Sequence, residues 1–277
     1  MMQMVHRQHV DSGLRNNDSA VAAPGPAADE IAHIRVSPGR VLVVLLSLVL
    51  LLLSISLPLQ FMHHQTDIDV PVLLVYAFDF DRENNLPTWF SSVTLLACAL
   101  VLFLIWRGRS LQGDPQALWW AGLGLAFLYL SIDEAASLHE ATVPKVQTLL
   151  GATGALYAAW VIPAAIALAV FALIYLRFFL SLPRRMQMLF LLAGTLFVGG
   201  AIGLEMLAWH HRYPLHAPSP DDWEASKDIV WALLSHLEEV LEMVGVAIFL
   251  YALLSYLAHR RIGARLTFVR GARIRER

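Results

Sequence analysis

Residues 41–57 read VLVVLLSLVLLLLSISL, without one charged side chain. A stretch of this kind leaves few options, because a backbone in hydrocarbon must satisfy its own hydrogen bonds, as a helix or a closed barrel does. Crossing a hydrocarbon core of about 30 Å takes about 20 helical residues. The sequence predicts six such spans, at 41–61, 87–106, 117–138, 155–178, 186–209 and 228–258. Composition agrees: only 15% of residues are charged and 57% are hydrophobic, where a soluble domain carries about a quarter charged. The expected fold class is all-α, a polytopic membrane protein built as a six-transmembrane-helix bundle.

Around that domain, 38–260, the chain is polar. Residues 1–37 read as a disordered cytoplasmic tail and 261–277 as a basic one. With about forty residues ahead of the first apolar run, that run reads as a retained helix rather than a cleaved signal. Sixteen of the twenty Lys and Arg residues fall on one side of the predicted topology, which puts both termini in the cytoplasm. The opposite loops hold only Arg82, Lys145, Arg212 and Lys227. The single cysteine, Cys98, excludes an intrachain disulfide and a thiolate metal cluster. A net charge of −2 points to no nucleic-acid partner; membrane lipids are the expected surroundings.

The outer loops carry turn chemistry. NNLPT places Pro87 at a helix start, and SPDD reads as an N-cap at Ser219 with the last helix beginning near Pro220. In VGGAIG, Gly199 and Gly203 stand at GxxxG spacing, which suits close helix packing. The fourth span holds no ionisable group and reads as scaffold.

Depth is what makes the charged residues informative. Counted from the basic side at about 1.5 Å per residue, Asp133 stands roughly 24 Å up, Glu205 roughly 28 Å, Glu239 roughly 28 Å and Glu242 roughly 24 Å. Three helices thus bring carboxylates to one layer, with His139, His210 and His236 roughly 33–36 Å up, just above it. Helix six carries Glu224, Asp228, Ser235, Glu238, Glu239 and Glu242 as a polar stripe. Each charge facing lipid at mid-span would cost at least about 2.5 kcal/mol, so the stripe must face protein or water. In the third span Asp133, Ser137 and Glu140 share a face, with Glu134 about 100° to one side and His139 about 120° to the other. Asp133 and Glu140 are therefore the expected contributors.

Any one of these residues alone is explained as a helix cap or a hydrated interface group. Seven carboxylates on three helices at one depth repel one another unless protons or a cation neutralise them. His236 and Glu239 stand at i and i+3, a pairing that di-iron bundles use. The expected metal ligands are Asp133, Glu140, Glu205, His236 and Glu239, with Glu238 and Glu242 as catalytic proton carriers, and a divalent metal (Zn, Fe or Mn) suits those donors. Such a site points to a metal-dependent hydrolase or oxidoreductase acting on a small lipophilic substrate, lipid or quinone-like. A proton- or divalent-cation-coupled transporter or channel is the alternative, weakened by the dry cytoplasmic half, GVAIFLYALLSYL and LWWAGLGLAFLYL. Bis-histidine haem ligation by His139 and His236 and a partner-receiving, non-catalytic subunit are lesser readings.

Taken together, NLPTWFSS, LSIDEAASLHE and HLEEVLEMVG resemble a pattern in uncharacterised bacterial multi-pass membrane proteins. The resemblance implies a bacterial cytoplasmic membrane and an outer loop covering the acidic bowl, with Asn85, Thr88, Trp89, Ser91 and Ser92 at its lip. It implies no activity. The general plan is similar to the alkaline ceramidase and adiponectin-receptor superfamily of membrane hydrolases, whose histidine-centred motif this chain does not match.

Overall fold

The computed structural model describes residues 36–65, 70–213 and 228–260. Among them the chain is helical, with no strand: α1 (Pro38–Gln65), α2 (Val72–Phe78), α3 (Leu86–Leu111), α4 (Ala117–Ala136), α5 (Leu138–Leu150), α6 (Val161–Ser181), α7 (Arg184–Val198), α8 (Glu205–Arg212) and α9 (Ile229–Arg260). Residues 1–35 and 261–277 of the polar tails, and the expected Ser219 cap, Pro220 start and Glu224, lie outside the described residues.

Five stretches are long and apolar enough to cross a membrane, α1, α3, α6, α7–α8 and α9, and the bent pair α4–α5 makes a sixth if counted as one span. Their surroundings differ. Half of the apolar window of α3 and of α9 is buried within the protein, against 11% for α1, α6 and α7–α8. Helices α3 and α9 therefore form the middle of the bundle, and the others turn apolar surface outward, Leu50 and Leu173 among it. That outward surface is what a lipid-facing wall requires.

The core fills one half of the bundle. Cys98, Leu102 and Ile105 of α3 pack with Trp120 of α4, Phe178 of α6 and Leu253 and Tyr256 of α9. Trp120 stacks on Tyr256 at 5.0 Å between centroids, and Phe249 meets both Phe127 and Phe190 at 4.4 Å. Cys98 is wholly buried, as a small packing residue is. Deeper polar contacts fix α3 against α4, where Ser92 and Ser131 each donate from their hydroxyl to the other's carbonyl at 2.8 Å. This exchange sets the height of the last turn of α4.

Local chemistry explains most boundaries. Asn85 caps α3, its side-chain oxygen accepting from the Thr88 amide at 3.2 Å, with Pro87 in the first turn. Two expectations are corrected. The third helix does not run through to 138: Ser137 takes a left-handed conformation (φ 50°), and α5 leaves α4 at 81°. Nor do Gly199 and Gly203 serve close packing, since a Cβ at either would meet nothing within 4 Å. The close approach is at Gly200, where a Cβ would meet α9: its nearest atoms would be the Glu238 carbonyl oxygen at 2.7 Å and the Glu242 Cγ at 3.0 Å. Gly245 does the same from the other side, against the Ala193 carbonyl at 2.8 Å.

Candidate carboxylate and histidine site

Residues 199–204, between α7 and α8, form a π-helical segment. A π turn inserts extra backbone into the helix and changes which face the following residues present. The residue that follows is Glu205. Its Oε1 accepts from the indole of Trp160 at 3.4 Å and from that of Trp209 at 3.3 Å. Trp160 comes from the start of the span expected to be mere scaffold, which begins at Val161 after a 3-10 turn rather than at 155.

Opposite Glu205, α9 brings Glu238, Glu239 and Glu242. Glu205 and Glu238 lie within hydrogen-bonding reach of each other. Two carboxyl groups can approach in this way only with a proton or a cation between them. Glu239 and Glu242 feel the charges of Glu205, of Glu134 from α4, and of Glu83 from the loop before α3. These α9 side chains keep partial solvent access while protein surrounds them closely, as groups lining a narrow well do. Further along α9, Met243 and Val246 are buried in the apolar packing.

At the rim the break at Ser137 does the positioning. It turns His139 back so that Nδ1 lies 3.0 Å from Asp133 Oδ2, although on an uninterrupted helix these side chains would point about 120° apart. His139 also packs on the Trp160 ring at 4.8 Å. With Nδ1 engaged, Nε2 is the second ring nitrogen. Glu83, His139 and Glu140 each offer one ligand atom, and those atoms lie within 4.8 Å of one another. Two buried oxygens in this region, Asp133 Oδ1 and Ser137 Oγ, have no hydrogen-bond partner.

Glu83 carries no helical periodicity, and sequence reasoning missed it. Its loop is held by Asn85, whose amide nitrogen donates to the carbonyls of Asp79 at 2.6 Å and Arg82 at 2.8 Å. Asp81 ties the same loop to α9, accepting from the Trp231 indole and the Ser235 hydroxyl, both at 3.0 Å. Trp231 thus belongs to the polar framework at the head of α9. Thr88 reaches Glu83 Oε2 at 3.4 Å. Burial pushes the Glu83 carboxyl up to about 6; the Glu140 carboxylate adds to the rise and His139 works against it. At the head of α9, burial would raise Asp228, but the Trp231 amide and His211 at 2.8 Å hold it below the usual carboxylate range.

The expected ligands separate into three places. Glu205 and Glu239 lie in the well with Glu238 and Glu242. Glu140 stands at the rim with His139 and Glu83, and Asp133 sits behind His139 rather than beside Glu140. It is Glu134, set aside in the sequence reading, that faces the α9 carboxylates. His236 is elsewhere: Nε2 meets Ser56 Oγ at 2.8 Å, Nδ1 donates to the Ala232 carbonyl at 2.7 Å, and the ring stacks on Phe80. Both ring nitrogens are occupied by protein, so the i, i+3 pairing with Glu239 is not formed as a ligand pair. His210 is exposed, and α8 stays helical through it. Of the expected lip, Asn85 and Thr88 are used in holding the loop, and Trp89 is largely exposed.

No curated protein and no solved structure matches the chain. Residues 41–257, from the first apolar run to the last turns of α9, match one family across all the elements that build the well, and the chain belongs to that family, described as a domain of unknown function (DUF8692).

Proposed function

We propose that the rim of the well binds a divalent metal ion, Zn, Fe or Mn, and that the protein is a metal-dependent membrane enzyme acting on a lipophilic substrate, with hydrolysis of a lipid ester the leading reaction. The observation that carries this is the grouping of Glu83, His139 and Glu140 around one point, with Asp133 fixing His139 from behind. A histidine ligand whose other nitrogen is held by a carboxylate is the usual outer-shell arrangement of protein metal sites. Nitrogen and carboxylate donors without sulfur suit these three ions.

A bound ion of this kind acidifies a coordinated water and polarises an acyl oxygen. The chain's own groups would do the rest. Glu238 and Glu242 accept the proton from water and return it to the leaving group, Glu205 and Glu239 hold that proton within the shared set, and the Trp160 and Trp209 indoles fix Glu205 in place. The distribution of Lys and Arg supports an opening on the non-cytoplasmic side of the membrane, with the substrate entering from the outer leaflet.

The transport reading draws support from the row of carboxylates, but the stacked aromatics below Met243 oppose a continuous polar route. The test uses purified protein in lipid nanodiscs, stripped with chelator and reloaded with each metal, against neutral ester lipids. Metal-dependent release of fatty acid that disappears in Glu83→Gln supports the enzyme. Metal-independent proton or cation flux in liposomes, with no fatty acid released, would replace it with a transporter.

A further inference from the structure

Helix α5 leaves the end of α4 at 81°. None of its 13 residues, LHEATVPKVQTLL, is buried. Its first turn meets the bundle through His139, which touches Asp133 and the Trp160 ring. Beyond that turn the apolar residues keep to the same side. At about 100° per residue, Val143, Val146 and Leu150 project within about 40° of His139, and Leu138 and Leu149 flank them. The other arc holds Glu140, Ala141, Gln147 and Thr148. Pro144 lies on that arc too, and the amide it lacks is the one that would bond the Glu140 carbonyl, where water can take its place.

Among the described residues nothing covers the far end of the apolar side: Leu149 is 82% exposed and Leu150 54%. What lies beside it follows from α4. That helix has 20 residues, about 30 Å of length, and so fills the hydrocarbon core by itself. A helix set nearly at right angles to the end of such a span runs along the membrane surface. Asp133 lies one turn back along α4, so the side of α5 that carries His139 is the side turned toward the membrane.

We infer that α5 is a lipid-contacting surface helix, lying along the bilayer at the end of α4 with Leu138, Val146, Leu149 and Leu150 among the acyl chains and its polar arc in water. Helices of this kind sink an apolar face about 5–10 Å into the boundary of headgroups and chains. The charges of α5, Glu140 and Lys145, are one of each sign, so the contact calls for no anionic lipid. Because the first turn carries His139 and Glu140, lipid contact along the rest of the helix sets the height at which the rim of the well stands. The inference does not depend on a bound metal, and its test uses metal-stripped protein.

The full-length protein in phosphatidylcholine nanodiscs is spin-labelled at one introduced cysteine at a time; Cys98 is wholly buried and can stay. Leu149→Cys and Leu150→Cys report the apolar side, Ala141→Cys and Thr148→Cys the polar arc, and all four positions are exposed, so the fold tolerates them. Collision rates are measured with oxygen, which concentrates in lipid, and with a water-soluble nickel chelate. The oxygen-to-nickel ratio should be several times higher at 149 and 150 than at 141 and 148. In a second measurement, Leu149→Asp/Leu150→Asp should quicken amide exchange over residues 141–150 several-fold, and Ala141→Asp/Thr148→Asp should not. Equal, water-like ratios at all four positions would overturn the inference. So would high ratios on both arcs, which place α5 inside the core, or low collision with both reagents at 149 and 150, which means that residues 214–227 or a second copy cover them. Unchanged exchange in Leu149→Asp/Leu150→Asp would also overturn it.

Discussion

Asp133 Oδ2 and His139 Nδ1 stand 3.0 Å apart across a helix break that a single serine makes in the left-handed conformation. The contact fixes the imidazole plane and occupies Nδ1, which leaves Nε2 as the second ring nitrogen. Replacing the carboxylate by an amide keeps the shape and removes the charge. Asp133→Asn should weaken metal binding about 10- to 100-fold, read by competition with a chelating dye, while the protein stays monodisperse.

Gly200 separates packing from chemistry. An added methyl there meets the backbone carbonyl of Glu238, which cannot move without shifting α9. Gly200→Ala should destabilise the bundle by about 1–3 kcal/mol, seen as a clear fall in melting temperature. Gly203→Ala, in open space on the same segment, is the control and should leave the melting temperature within a degree or two of wild type.

Glu83 sets a pH dependence. Its carboxyl rises from an unfolded value near 4.5 to about 6 in the fold, so the protonated form is favoured in the folded state. Its stabilising contribution is complete below the unfolded value and is lost as pH rises through about 6. Chelator-treated protein should therefore melt higher at pH 5 than at pH 7, with the difference reduced in Glu83→Gln. Metal binding should run the opposite way, weakening as pH falls through about 6, because the ligand must be the carboxylate.

Asp81 holds the loop that carries Glu83. Asp81→Ala removes the acceptor of two hydrogen bonds from α9. Amide hydrogen exchange over residues 79–85 should quicken, and metal affinity should fall with it, while exchange in α3 and α4 stays slow. Unchanged exchange in the loop would mean that Asn85 alone suffices to hold it.

The helices were legible because long apolar runs have one solution in a bilayer, and the start of α3 because Asn85, Pro87 and Thr88 carry standard capping chemistry. The acidic character of the well was legible from the depth of Glu205, Glu239 and Glu242. Which residues turn toward it was not. Ser137 has no sequence mark of a left-handed residue, as a glycine would, so the contact of His139 with Asp133 was hidden behind an assumed straight helix. Within the π-helical segment 199–204 it is Gly200, and not Gly199 or Gly203, that meets α9. Glu83 lies in a loop where no periodicity can place it. His236 was misassigned for the opposite reason: its spacing to Glu239 fits a ligand pair, but Ser56 on a distant helix claims its Nε2.

In the proposed function, Glu83, His139 and Glu140 hold one metal ion. Elemental analysis of the purified wild-type protein, beside a Glu83→Gln/His139→Ala double variant that elutes as one sharp species, tests it most directly. About one divalent ion per chain in the wild type and less than a tenth of that in the double variant is the expected result. Metal-free wild type that stays so after incubation with Zn, Fe and Mn, or equal metal in both proteins, would contradict it.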